Sequence, residues 1–283
     1  MRYRIAAAAV AAYGVVLFVT GNLGWQHIAL PVFIWACLAK REEPRGFLKD
    51  WYPMLAFWLF YDSMRAWGWM LYPRVAVEQP FRWEEALFLS PGGDIWPFYF
   101  ARWTAASGSA LAARLLQPGC SLVYLSYVFA VPVIMIVLWL RRSRILFRRM
   151  LLAFTALNFL GLAIYVIYPA APPWWVYENG FEQPTVEHSK PSEFKTGSTL
   201  STLFQYSANR FGALPSLHGA HPFLLTLVLA LHGARYRWIW TAGSYAALMW
   251  FSCVFLNQHY IVDLLAGAAL TPFAVEFARL KNG

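Results

Sequence analysis

Two short stretches in the last third of the chain carry residues that could move a phosphoryl group. Gly212-Ala-Leu-Pro-Ser-Leu-His218 and His259-Tyr-Ile-Val-Asp263 each stand at the start of a long apolar segment. His259 and Asp263 are four residues apart, so they lie on one face of a helix. A nucleophilic imidazole, a carboxylate that orients it and a second imidazole for the leaving group suffice for this chemistry. We predict that His218, His259 and Asp263 are catalytic. An isolated His–Asp pair could instead have only a structural role, as a buried contact that holds two helices together.

The composition indicates a multi-pass membrane protein. Of the 283 residues, 59% are hydrophobic, 18% are aromatic and 13% are charged, which excludes an ordinary soluble domain. The formal net charge is +9, but the basic residues collect between apolar runs, as topology signals do, so no nucleic-acid partner is expected. Cys37, Cys120 and Cys253 are odd in number and far apart, so we expect no disulfide framework.

Apolar segments predict an all-α, polytopic membrane helix bundle of about eight transmembrane helices with interfacial helices, each span needing about 20 residues. Residues 1–50 would form an N-terminal helical hairpin and residues 51–283 a catalytic membrane domain. The alanine-rich start resembles a signal peptide, and we interpret it as a retained first helix because further apolar segments follow. The predicted spans are 4–20, 24–40, 52–72, 119–140, 146–168, 213–232, 237–256 and 259–279.

Basic residues in the loops predict the orientation of these spans. Lysine and arginine residues cluster in three loops and at the end of the chain, and all four places fall on one side of such a bundle. The loops are 40–49, 141–149 and 235–237. The positive-inside rule makes that side cytoplasmic, together with both termini. His218 and His259 open their segments on the opposite, extracytoplasmic side, so an independent charge rule puts both rings at one depth.

Regions outside the spans are expected to border the site. The stretch 80–103 is rich in aromatic residues but is interrupted by Pro91-Gly-Gly-Asp94, so one or two interfacial helices are expected there. The polar loop 178–209 is a candidate moving lid. Pro215 suits a first helical turn, which places Ser216 beside backbone N–H groups that attract phosphate.

Leu214-Pro-Ser-Leu-His218 and His259-Tyr-Ile-Val-Asp263 resemble the second and third signature blocks of the type 2 phosphatidic acid phosphatase superfamily. Tyr61-Asp-Ser-Met-Arg65 and Tyr168-Pro-Ala-Ala-Pro-Pro-Trp174 are similar to its inositol phosphorylceramide synthase branch. The resemblance implies that His259 attacks phosphorus to form a phosphohistidine, that Asp263 holds its ring, and that His218 acts as acid and then as base. It also implies that Ser216 helps to hold phosphate oxygens, and it implies no metal or organic cofactor.

Two departures from the common phosphatase pattern concern charge. The lysine-arginine first block is not found, and Ser252 and Cys253 stand where the third block carries Ser-Arg. The chain therefore lacks the usual cationic clamp for a phosphate monoester dianion, whereas a phosphodiester carries one charge fewer. Arg65 and Arg210 are candidate replacements, unless Arg65 only neutralises Asp62. The predicted substrate-binding residues are Asp62, Arg65, Arg210, Ser216, Trp174 and Asn257.

The resemblance implies an integral membrane enzyme that transfers a phospholipid head group, phosphoinositol in this branch, from a lipid donor to a lipid hydroxyl. Its expected partners are these membrane lipids. Three alternatives stay open. Water could resolve the phosphohistidine in a lipid phosphatase. His221 could join His218, His259 and Asp263 around zinc in an amidase of the ceramidase type. The chain could also be a transporter or scaffold whose polar residues line a path.

Overall fold

The computed structural model describes residues 44–106, 111–186 and 209–281. The predicted N-terminal hairpin lies almost wholly outside these residues, and so does most of the loop 178–209. Within the described ranges the chain forms nine α-helices and one 3₁₀ helix, Gly68–Arg74. The α-helices are α1 (Pro44–Trp67), α2 (Glu78–Leu87), α3 (Trp96–Ala106), α4 (Leu111–Leu140), α5 (Arg144–Ile167), α6 (Pro173–Asn179), α7 (Leu217–Leu231), α8 (Tyr236–Phe255) and α9 (Ile261–Leu280).

The predicted all-helical class is confirmed for the described part of the chain. Six predicted spans, from residue 52 onward, each coincide with one of the helices α1, α4, α5, α7, α8 and α9. Among the residues that the structure describes, three helical segments are both long and apolar enough to cross a membrane: Arg114–Leu140, Arg144–Ile167 and Ile261–Leu280. The apolar helix α7 has only 15 residues. The predicted count of eight spans is therefore not confirmed.

Helix α7 is the centre of the bundle, because it packs against α4, α5, α8 and α9. Its buried residues include Ala220, Leu224 and Val228, which contribute to the main apolar core. Glycine permits the closest of these approaches: a Cβ atom added at Gly267 of α9 would lie 2.3 Å from the carbonyl oxygen of Ser216. Small residues that let two backbones approach are the usual means of joining helices in lipid.

Three short extended segments, 75–77, 169–171 and 211–213, pair side by side at one end of the bundle. The N–H of Ala76 donates to Pro169 at 2.8 Å, and the N–H of Ala171 donates back to Ala76 at 3.0 Å. On the other side, Ala170 donates to Phe211 at 2.8 Å, and Ala213 donates to Ala170 at 3.2 Å. This pairing positions the chain that leads directly into α7.

The basic turns lie at the other end of the bundle. Arg141 and Arg142 stand in the turn between α4 and α5, from which α5 runs to Tyr165. The hydroxyl of Tyr165 donates to the carbonyl oxygen of Pro215 at 2.7 Å, just before α7. Since α7 runs back from this point to its end at Leu231, the turn with Arg235 is also remote from the start of α7.

Helices α2 and α3 occupy the aromatic stretch where short helices are predicted. They are separated by a tight turn in which the N–H of Ser90 donates to Asp94 at 2.7 Å, and Gly93 has a φ of 83°. The stretch forms two helices, within the one or two predicted, and the interruption Pro91-Gly-Gly-Asp94 separates them.

Replacing Gly267 with alanine should destabilise the fold, because the new methyl group would collide with the backbone of Ser216. We expect Gly267→Ala to lose at least about 1–3 kcal/mol, the usual cost of overpacking. Thermal unfolding in detergent, followed by tryptophan fluorescence, measures the loss.

The matched control is Gly119→Ala in α4, where an added Cβ meets no atom within 4 Å. It should leave stability unchanged or raise it by about 0.5–1 kcal/mol through helix propensity. Equal melting temperatures for both variants would contradict the close contact between α7 and α9.

Candidate functional site

Two histidines from distant parts of the sequence meet beside the three paired extended segments. His218 lies in the first turn of α7, and His259 lies in the turn between α8 and α9. The prediction that His259 and Asp263 share one helix face is therefore wrong, because α9 begins only at Ile261, after the extended Tyr260. The Nε2 atom of His259 is 3.0 Å from the Nδ1 atom of His218, which is hydrogen-bonding distance. The structure therefore brings together two rings that are 41 residues apart in the sequence.

Two acceptors flank the other ring nitrogen of His259. Its Nδ1 atom is 3.1 Å from the carbonyl oxygen of Ala213 and 3.5 Å from Oδ2 of Asp263. Acceptors at Nδ1 favour the tautomer with the proton there, which leaves the lone pair on Nε2, facing His218. The carboxylate of Asp263 is fully buried and accepts a hydrogen bond from the N–H of Tyr260 at 2.9 Å. The ring of His259 is thus oriented from two sides.

Two tyrosines of α4 that sequence reasoning missed enclose His218. The ring of Tyr124 stacks on His218 with centroids 4.2 Å apart, and the ring of Tyr127 lies 3.8 Å away. Their spacing of three residues places both on one helix face. That spacing was visible in the sequence, but it does not reveal which helix faces them. The two tyrosine rings pack against the half-buried histidine.

Glu84 is a second residue that the sequence analysis did not predict. It is fully buried, and its two oxygens accept hydrogen bonds from the N–H groups of Ile261 and Val262, each at 3.1 Å. Burial raises the pKa of Glu84 to about 7; the two N–H groups lower it, and the nearby Asp263 raises it. Glu84 stands four residues after Pro80, so both lie on one face of α2, and this face is buried. That spacing was the signal in the sequence that could have indicated a buried glutamate. Nothing in the sequence names α9 as the partner.

Three predicted substrate-binding residues lie in the backbone framework of the site. Ser216 is the N-cap of α7, where its hydroxyl accepts from the N–H of Gly219 at 3.3 Å, and it is fully buried. The N–H of Trp174 donates to the carbonyl oxygen of Asn257 at 3.0 Å. The buried side-chain oxygen of Asn257 has no hydrogen-bond partner within the described ranges. These positions show a structural role for Ser216, and the binding roles stay predictions.

The predicted charged residues form other contacts. Nε of Arg65 lies 2.7 Å from Oδ1 of Asp62, and both side chains are mostly buried. Arg210 lies beside Tyr72; burial lowers the pKa of Arg210, and the tyrosine raises it. The Asp62–Arg65 pair matches the alternative in which the arginine neutralises the aspartate. Neither contact tests whether these arginines bind phosphate.

His221 lies apart from the two meeting histidines. Its ring packs against Phe154, with centroids 4.6 Å apart, and stacks on Tyr127 at 5.8 Å. Both of its ring nitrogens are buried and find no hydrogen-bond partner in the part of the chain that the structure describes. Among residues 44–106, 111–186 and 209–281, no three histidine, cysteine or acidic side chains are grouped as metal ligands require. The four-ligand zinc site of the amidase alternative is therefore not assembled.

Cys253 forms an apolar wall behind the site. It is fully buried in a cluster that includes Tyr124, Met249 and Leu264. Its carbonyl oxygen accepts from the N–H of His259 at 3.2 Å, so the residue touches the turn that carries the histidine. The position where the common phosphatase pattern has an arginine is thus occupied by a small, uncharged side chain.

Comparison with known proteins supplies a family for this arrangement. The model of the PAP2 superfamily matches residues 98–276, a range that includes both histidines and Asp263. The inositol phosphorylceramide synthase of Candida albicans is 35% identical over 136 residues, which is 46% of this chain and 28% of that protein. The phosphoinositol dihydroceramide synthase of Bacteroides thetaiotaomicron is 32% identical over 155 residues, covering 51% of this chain and 49% of that protein.

A third relative is the inositol phosphorylceramide synthase catalytic subunit of Saccharomyces cerevisiae. It is 27% identical over 133 residues, covering 44% of this chain and 33% of that protein. The chain therefore spans between about a quarter and a half of the length of these curated relatives. No solved structure matches.

The predicted family resemblance is confirmed, since the family model covers more than half of the sequence and includes both signature blocks. The chain belongs to the PAP2 superfamily.

Proposed function

We propose that this protein is a membrane phosphotransferase that moves phosphoinositol from a phospholipid to the hydroxyl of a ceramide-like lipid. The observation that carries the proposal is the 3.0 Å contact between His259 Nε2 and His218 Nδ1, with Asp263 behind the first ring. The relatives support the substrate class, since their names describe synthases of inositol phosphorylceramide and phosphoinositol dihydroceramide. The chain matches less than half of the length of each of these relatives, so the activity of the whole protein is proposed.

In the first proposed step, Nε2 of His259 attacks the phosphorus of the donor. A phosphorus–nitrogen bond forms, and the phosphorus–oxygen bond to the diacylglycerol breaks. His218 gives its proton to the departing oxygen as general acid. The carbonyl oxygen of Ala213 and the carboxylate of Asp263 hold the Nδ1 proton and stabilise the positive charge that develops on the ring.

In the second proposed step, the hydroxyl oxygen of the acceptor lipid attacks the phosphohistidine. His218, now neutral, takes the hydroxyl proton, and the bond to His259 breaks with return of its lone pair. The two rings touch without substrate, so a phosphoryl group has to part them before either step. The ring that moves is then His218, because His259 is held by Ala213 and Asp263.

Local charge favours a phosphodiester over a phosphate monoester. Two buried carboxylates, Asp263 and Glu84, stand at the start of α9, and the uncharged Cys253 replaces the arginine of the common pattern. A monoester dianion meets more repulsion here than the single negative charge of a phospholipid diester. The unpartnered amide oxygen of Asn257 is suited to a hydroxyl of the inositol ring.

The charge distribution also supports an orientation. The arginines at 141, 142 and 144 lie at the end of the bundle opposite His218 and His259. By the positive-inside rule the basic end is cytoplasmic, so the proposed reaction takes place at the extracytoplasmic leaflet.

His259→Ala should abolish turnover, because it removes the proposed nucleophile. Incubation with a donor that carries labelled phosphate and labelled inositol should give acid-labile, base-stable label on His259 and then label on a second lipid. The control is His232→Ala, which alters an exposed histidine at the far end of α7 and should leave turnover unchanged.

The same experiment separates transfer from hydrolysis. Release of free inositol phosphate, with no labelled lipid product, would assign the chain to the lipid phosphatases instead. Undiminished turnover by His259→Ala would exclude both enzymes.

His218→Ala should reduce turnover by about 100-fold or more with natural donors, the usual contribution of a general acid. The loss should be much smaller with a donor that has a nitrophenol leaving group, since this group departs without a proton. Initial rates for both donors measure the difference. Equal losses would contradict the role of His218 as the acid.

Asp263→Asn should lower turnover by about 100-fold or more while the protein stays folded, because the developing imidazolium loses its charge partner. The loss should stay below that of His259→Ala, since the carbonyl oxygen of Ala213 still accepts from Nδ1. Rates and melting temperatures measured together decide this. If Asp263→Asn turned over at the rate of the unsubstituted protein, Asp263 would have only a structural role.

A further inference from the structure

We propose that Glu84 is a positioning residue that holds His259 and Asp263 in their reactive arrangement, with α2 acting as a latch on α9. This inference rests on the proposed function, but part of its test is independent of lipid transfer. Glu84 lies on α2 and binds the N–H group of Ile261, which is 177 residues later in the sequence.

The contact lies between the two proposed catalytic residues. Glu84 binds the N–H groups of Ile261 and Val262, at 3.1 Å each. His259 stands two residues before Ile261, and Asp263 directly follows Val262. A displacement of the first turn of α9 therefore moves the imidazole and the carboxylate relative to each other.

Helix α2 is itself anchored to the segment that supports His259 from the other side. The hydroxyl of Tyr168 donates to the side-chain oxygen of Gln79 at 2.8 Å, and the ring of Trp83 stacks on Tyr168 at 6.0 Å. Two residues later, Ala170 pairs with the segment that contains Ala213, whose carbonyl oxygen contacts His259. Glu84 thus closes a ring of contacts around the imidazole.

Stability of α9 alone does not explain a buried carboxylate at this point. The first N–H groups of a helix are commonly satisfied by a capping side chain of the same segment or by water. Burying a carboxylate instead costs free energy that two backbone hydrogen bonds offset only in part. What the glutamate adds is a pair of bonds that joins a separate helix to the turn carrying His259.

The test compares Glu84→Gln with Glu85→Gln at pH 8, where Glu84 is mostly ionised because its pKa is about 7. Glu85 is the matched control: it is the next residue on α2, is partly exposed and pairs with Arg82. In Glu84→Gln one side-chain oxygen is replaced by an NH₂ group that cannot accept, so one of the two bonds to α9 is lost.

We expect kcat of Glu84→Gln to fall about tenfold to 100-fold, as for a small misplacement of reacting groups, and KM to change less than about twofold. Glu85→Gln should match the parent. A parental kcat per folded molecule of Glu84→Gln would overturn the proposal, whatever the yield of protein.

A second variant removes the same contact from the side of α9. Ile261→Pro deletes the N–H group that Glu84 binds, at the first helical position, where proline is favoured. The preceding Tyr260 has φ −73° and ψ 158°, which suits a residue before proline. Ile261→Pro should lower kcat in the parent and add little to Glu84→Gln, since both remove one interaction. Fully additive losses would contradict the latch.

The nitrogen NMR signals of labelled histidines supply a readout that needs no lipid substrate. Glu84→Gln should change the signals of His259, assigned with His259→Gln, and Glu85→Gln should not. Unchanged His259 signals in Glu84→Gln would overturn the positioning role. If the parent transfers no head group but these signals still respond, the proposed function fails and the latch stands.

Discussion

Contact between the starts of α7 and α9 is the constraint on which the site depends. The N–H of Ser216 donates to the carbonyl oxygen of Asp263 at 2.9 Å, and Gly267 leaves room for the carbonyl oxygen of Ser216. His218 follows Ser216 by two residues, and His259 precedes Asp263 by four. Lipid gives helices no hydrophobic reason to associate, so small residues and interhelical hydrogen bonds must join them. The contact that assembles the bundle therefore also sets the distance between the rings.

The start of α9 concentrates negative charge where the helix dipole is positive. A carboxylate there gains up to about 2 kcal/mol from the dipole in a partly buried site, and hydrogen bonds to a charged group add about 1.5–3 kcal/mol each. Desolvation costs several kcal/mol per ion, and a neighbouring carboxylate adds repulsion. For Glu84 the cost exceeds the gain, since its pKa is raised to about 7 despite two N–H donors. Ionised Glu84 therefore lowers the free energy of unfolding, and a local cost of this kind is typical of functional sites.

Sequence reasoning reached the parts of the site that local spacing encodes. His218 and His259 each open an apolar segment on the same side of the predicted bundle, which was enough to predict that they meet, and apolar runs predicted the six longer helices. The four-residue spacing of His259 and Asp263 predicted their proximity, although His259 precedes the helix. Glu84, Tyr124 and Tyr127 were missed because their roles depend on which helices become neighbours, which a single sequence does not show. Ser216 was assigned to phosphate from its place at a predicted helix start and from the family resemblance; the structure shows its hydroxyl as a helix cap, and the phosphate role stays a prediction. The span count depends on residues 1–43, which lie outside the described ranges.

Exclusion of water is the step that connects this geometry with transfer rather than hydrolysis. His259 is only 4% exposed, and its Nε2 is covered by His218, which two tyrosines enclose. The wall near Cys253 is apolar, and water is poorly held where it finds few polar partners. A lipid hydroxyl arrives differently, because its chains enter from the bilayer and bring the oxygen to the site with them. On the proposed mechanism, the same burial that protects the phosphohistidine from water therefore favours an acceptor that is itself a lipid.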